Sequence, residues 1–149
     1  MAEGDELRID AAAAAGVGLD QASLAELLGR ERREVERNIA CFRGGRPLPA
    51  LGGRDVIVVD DGLATGLTAE AALGVVRRHA PHTVTLAVPV GAPDSLARLG
   101  RLADDVVCLH RPTPFLAVGL WYEEFGQTSD DEVVRLLAEG RRQPGDRFS

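Results

Sequence analysis

Lysine is absent from this chain: all 17 basic residues are arginine. Every cation is therefore a planar, permanently charged fork, never a flexible ammonium. With heavy Ala, Gly and Arg usage, this reads as genomic base bias, not a functional device. Cysteine is nearly absent too. Cys41 and Cys108 lie far apart, in an expected helix and an expected strand, and read as two buried thiols in a reducing compartment. No apolar stretch is long enough to span a membrane. The acidic opening MAEGDE is not a secretory signal, so a cytoplasmic location and no membrane partner are expected. The formal charge of −6 leaves no overall basic field to recruit nucleic acid. No Cys/His cluster has zinc spacing. Ser95 lacks the Gly-x-Ser-x-Gly elbow of a serine hydrolase. There is no internal repeat.

What remains is an ordinary globular composition, 45% apolar over 149 residues, enough for one domain with a proper core. Within a single domain 1–149, residues 1–54 read as a helical segment and linker, 55–110 as strand–helix repeats, and 111–149 as a cover and final helix. Leu7–Ile9 suggests a short strand and Ala11–Ala15 a weak helical turn. A long helix is expected over Gln21–Phe42, with Leu24, Leu27, Leu28, Val35, Ile39 and Phe42 at near-helical spacing. Gly44-Gly45-Arg46-Pro47 ends it. Strands are expected at Val56–Val59, at Val84–Val90 (broken late by Pro89) and at Val106–Leu109. Between them come a helix with Ala69, Ala72, Leu73 and Val76 on one face, closed by Pro81, and a short helix over Asp94–Leu102 with Leu96, Leu99 and Ala103 on one side. Alternating strands and helices imply right-handed crossovers and a parallel sheet. Ser129 and Glu132 fit a capping box for a last helix, expected to end at Gly140. The tail 141–149 is polar.

The most informative stretch is Val56–Thr68, VIVVDDGLATGLT. Four apolar residues suit a buried parallel strand. Asp60 and Asp61 fall where it ends. Gly62 and Gly66 allow a tight turn, and Thr65 and Thr68 offer hydroxyls. Free amides before the following helix, together with its dipole, attract phosphate. The same pattern also fits an ordinary strand-to-helix turn with a capping Asp.

This stretch resembles, along its whole length, the diphosphate-sugar signature of the type I phosphoribosyltransferases. The resemblance implies an α/β fold of three layers, a mainly parallel sheet with flanking helices. It also implies binding of phosphoribosyl diphosphate (PRPP) with Mg2+ and transfer of ribose 5-phosphate to a nitrogenous base, a purine slightly favoured. Asp60 and Asp61 would be the catalytic pair, contacting the ribose hydroxyls directly or near the metal. Ala64, Thr65, Gly66, Leu67 and Thr68 would wrap the 5′-phosphate, after the turn at Gly62. A nucleobase or nucleoside monophosphate would be the other ligand.

Pro114–Gly119 is similar to the base-binding segment of the purine-type enzymes. Phe115 then has two readings: a ring that stacks on the acceptor, or a core aromatic plugging the end of the sheet. Trp121 and Tyr122 read as packing and rim residues. His110, after the third strand, is a candidate for binding substrate or diphosphate; His79 and His82 fall at the far end of the layer.

A first core strand with its diphosphate loop is not found in residues 1–54, so the chain reads as the later part of a fuller transferase domain, truncated at its N-terminus. A second reading follows: a catalytically incompetent PRPP- or nucleotide-binding or assembly module, in which an open sheet edge invites a homodimer. A receiver-like phosphoacceptor built on Asp60 would need a lysine at a later strand end, and this chain has none.

Overall fold

The alternation in TVTLAVPV decides the architecture. In a computed structural model that describes residues 21–142, this segment is β2 (Thr83–Val90), the middle of a three-stranded sheet. β1 (Asp55–Val59) lies on one side and β3 (Asp105–His110) on the other, both parallel to it. Val56 pairs with Val84, and Val88 with Cys108. Helix α1 (Gln21–Arg43) precedes β1. α2 (Leu67–Arg78) joins β1 to β2, and α3 (Pro93–Leu99) joins β2 to β3. A 3-10 turn, Val118–Trp121, and α4 (Asp130–Arg142) follow. The result is an α/β fold with a parallel sheet flanked by helices, as the strand–helix rhythm implies.

One face of the sheet makes the core. Val84, Leu86 and Val88 from β2 pack with Leu63, Ala69 and Leu73 and with Leu96, Leu99 and Ala103, all buried. Val58, Val106 and Cys108 from the flanking strands complete it. The opposite face is open among the described residues. Ile57 and Val59 are 66% and 73% exposed, and Val107 and Leu109 are 45% and 71% exposed. The expectation that Val56–Val59 is a buried strand is therefore corrected. Among the described strands β1 lies at an edge, and its side chains alternate between core and solvent because period 2 sends every other residue to the uncovered face.

Other boundaries shift for local reasons. β2 runs through Pro89 to Val90 instead of breaking there. The buried positions of α2 are Ala69, Ala71, Leu73 and Val75, with Ala72 and Val76 only half-buried. α4 passes Gly140 and ends at Arg142, while Ser129 Oγ accepts the Glu132 N–H at 3.3 Å as half of the expected box. Cys41 is exposed and Cys108 half-buried, so Cys41 is not the buried thiol expected; both are free. α1 and α4 are linked by an Arg37–Asp130 ion pair of 2.6 Å. The strand and turn suggested at 7–15, and most of the tail from 141, lie outside the described residues.

The amino end of the sheet carries structural polar groups. Asp104 accepts the Val84 N–H at 2.7 Å and pairs with Arg77 at 3.0 Å. Asp55 accepts from Thr83 Oγ1 at 2.7 Å and meets His82 Nδ1 at 2.8 Å. His82 thus sits far from the carboxyl ends of the strands.

Candidate active site

The loop between β1 and α2 is held by β2. Asp60 N–H donates to Ala87 O at 3.3 Å, Leu63 N–H to Val90 O at 3.0 Å, and Ala92 N–H returns to Leu63 O at 2.8 Å. Leu63 is fully buried, so it anchors the loop while its neighbours face outward. Two glycines are required by what approaches them. A Cβ on Gly62 would lie 2.6 Å from Val118 Cγ1 and 3.0 Å from Val90 Cγ1. Gly66 has φ of 69°, the left-handed region, and a Cβ there would meet Leu99 Cδ1 at 2.9 Å. Gly66 is also the N-cap of α2, and no side chain caps that helix. Its first amides are left for water or a ligand.

Around this loop lies a cavity of about 210 Å3 lined by Asp60, Asp61, Gly62, Ala64, Thr65, Gly66, Leu67, Thr68 and Val118. All the sequence-derived loop candidates meet there. Phe115 does not. It lines a second cavity of about 290 Å3 with Ala92, Pro93, Asp94, Pro112 and Thr113, beyond the ends of β2 and β3. The first cavity is smaller than the roughly 300–1,000 Å3 of common small-molecule pockets. His110 is exposed at the end of β3 and lines neither cavity.

The electrostatics divide the acid pair. Asp60 is half-buried, and burial raises its pKa above the ordinary carboxylate value. The Asp61 N–H, donated to Asp60 Oδ1 at 2.9 Å, opposes this, while the nearby Asp61 charge adds to it. Asp61 is exposed. Among the described residues neither carboxylate has a cationic partner and no cationic side chain lines the cavity. Amides on one wall and two uncompensated acids on the other suit a polyanion that arrives with a divalent cation. Asp60 and Asp61 are donors that would suit a divalent cation such as Mg2+ brought in with a phosphorylated ligand.

Four residues contribute in ways the sequence does not reveal. Val118 packs on Gly62 and lines the cavity. Tyr122 donates its hydroxyl to Asp61 O at 2.6 Å, so this rim residue is tied to the site. Ser95 and Arg98 of α3 bond to the back of the loop. Only spatial proximity reveals the first two, which follow the loop by some fifty to sixty residues.

Residues 17–122 match the family described as the phosphoribosyl transferase domain. This chain belongs to that family. Two Mycobacterium tuberculosis proteins, assigned provisionally by name as phosphoribosyl transferases, are 46% identical over 127 residues, covering 85% of this chain and 29% of their own length. A uracil phosphoribosyltransferase of Clostridioides difficile is 41% identical over 56 residues, 38% of this chain and 27% of its own. The crystal structure of TT1426 from Thermus thermophilus superposes with a TM-score of 0.69 at 42% identity, covering 81% of this chain and 58% of that one. This phosphoribosyl transferase domain thus spans under two thirds of the length of each of these relatives. Among its described residues no helix is long and apolar enough to cross a membrane.

Proposed function

We propose that this domain binds PRPP with Mg2+ in the β1–α2 cavity and transfers its phosphoribosyl group to a ring nitrogen of a nucleobase. The observation that carries this reading is the cavity itself. An uncapped helix N-terminus and a Gly-rich loop form one wall, and Asp60 and Asp61 stand at its rim. Thr65, Thr68 and the loop amides take the 5′-phosphate. Asp60 and Asp61 take the ribose hydroxyls. In the reaction the C1′–O bond to diphosphate breaks, its electron pair leaves with diphosphate, and the base nitrogen forms the C1′–N bond before losing its proton. Between these events C1′ carries positive charge, which the two carboxylates stabilise electrostatically. Mg2+, when bound, neutralises the departing diphosphate. Phe115 would present its ring to the acceptor base from the second cavity.

One observation favours a second reading, a module that binds the sugar phosphate without turnover. The first cavity is lined by no cationic side chain, so the described residues offer a sugar and 5′-phosphate grip without a diphosphate grip. Two assays separate the readings. Titration calorimetry with PRPP and Mg2+ is expected to show binding that Asp60→Asn and Asp61→Asn each weaken at least about tenfold; unaltered binding in those variants would remove both. Diphosphate release from PRPP on addition of bases, lost in the same variants, selects the enzyme.

A further inference from the structure

Ser95 is the buried polar side chain of the core, 7% exposed among the described residues. Its hydroxyl donates to Ala64 O at 2.6 Å. Three residues on, Arg98 spans two elements. Nη2 donates to Thr65 O, and Nη1 pairs with Glu70 in the first turn of α2. The loop lies flat on α3 between these bonds. A Cβ on Gly66 would be 2.9 Å from Leu99 Cδ1, 3.5 Å from Arg98 Nη2 and 3.6 Å from Ser95 Cβ.

We propose that Ser95 and Arg98 are positioning residues for an anion, setting the Thr65 and Gly66 amides to face the cavity. This rests on the sugar-phosphate reading of that cavity. A trans peptide is planar, so its C=O and N–H point in opposite directions. With Ala64 O drawn to Ser95, the Thr65 N–H points away from α3. With Thr65 O drawn to Arg98, the Gly66 N–H does the same. Ala64, Thr65 and Gly66 line the cavity, and the two adjacent amides together with the open end of α2 make a concave anion seat. Arg98 adds a second effect. Glu70 brings negative charge to the helix turn where the anion must sit, and the guanidinium neutralises it. A guanidinium serves a carbonyl and a carboxylate at once from fixed directions; an ammonium is a point donor.

The test is amide NMR and calorimetry on the full chain, titrated with ribose 5-phosphate and with inorganic phosphate. In the wild type, both ligands shift the Thr65 and Gly66 amides saturably. Ser95→Ala and Arg98→Gln each weaken ribose 5-phosphate about tenfold and abolish the response of those amides, with thermal unfolding changed by only a few degrees. Arg98→Lys falls between wild type and Arg98→Gln. A purely structural brace would lower thermal stability without removing the amide response to phosphate. Arg98 is 41% exposed, so its variants decide the matter even if Ser95→Ala fails to fold. Arg98→Gln binding like wild type, while Asp60→Asn loses affinity, overturns the positioning role alone. Absence of wild-type binding overturns the site reading and this inference together.

Discussion

The Tyr122 hydroxyl donates to the main-chain carbonyl of Asp61 at 2.6 Å, which ties the segment after β3 to the acid pair before α2. Its ring also packs on Phe125, centroids 5.1 Å apart. Tyr122→Phe keeps the ring pair and removes only the donor. It is expected to cost about 1 kcal/mol of folding stability, read by denaturant titration, and to weaken PRPP binding several-fold as Val118 and its turn loosen over the cavity. An unchanged affinity would show that this cover does not shape the site. Burial, then the charges of Asp61 and Asp60, hold the phenol above its ordinary pKa, so the hydroxyl keeps its proton well into the alkaline range.

Gly62 and Val118 occupy one space. Gly62→Ala places a methyl 2.6 Å from Val118 Cγ1, a distance real carbons do not adopt, so the cover must shift. The expected cost is about 1–3 kcal/mol. Val118→Ala removes the opposing methyls and should recover most of it. The double-mutant cycle is therefore expected to show a coupling on the order of 1 kcal/mol or more. Additive losses would mean that the loop, not Val118, absorbs the methyl.

Asp60 works against stability. Because burial raises its folded pKa, ionising it penalises the native state, and stability falls as pH rises through the window from the unfolded value of 3.8 upward. Asp55 and Asp104 act in the opposite sense. Hydrogen bonds from Thr83 to Asp55, and from Arg77 to Asp104, lower their pKa values. Their stabilisation is present above the unfolded value and is lost as pH falls through the folded one. Asp60→Asn should therefore be more stable than wild type near neutral pH, with the difference vanishing in acid as the wild-type carboxyl takes up its proton. The same variant should bind PRPP at least about tenfold more weakly. Thermal unfolding from acid to neutral pH checks the sign; a destabilised Asp60→Asn at neutral pH would contradict it.

The alternation of apolar residues with helix signals made the parallel α/β core readable, and VIVVDDGLATGLT made the loop readable because its geometry is local. The rest depended on which elements meet. Nothing in VIVV distinguishes a strand buried on both faces from an edge strand buried on one. Ile57 and Val59 are exposed only because no described helix crosses that side of the sheet. Ser95 and Arg98 belong to no motif in the sequence, since their partners are backbone carbonyls some thirty residues earlier. Similarity leaves Phe115 either a ring for the acceptor or a plug at the sheet end, and only the structure shows that the cavity it lines is separate from the loop cavity.

That difference between the two faces of the sheet can be measured. Leu86 is fully buried in the middle strand, within the core that α2 and α3 cover, whereas Ile57 is 66% exposed on the edge strand. Leu86→Ala removes buried methyl groups and leaves a cavity that close-packed neighbours cannot fill, so it should cost about 2–5 kcal/mol. Ile57→Thr keeps a β-branched residue suited to a strand and places its hydroxyl in water, so it should change stability by no more than about 0.5 kcal/mol. Equilibrium urea titrations with matching slopes give both values. If Ile57→Thr costs as much as Leu86→Ala, the outer face is covered in the folded protein and the core is not one-sided. If it is neutral, α2 and α3 are the only described elements that cover the sheet, and the acid pair is carried by a strand packed on one face.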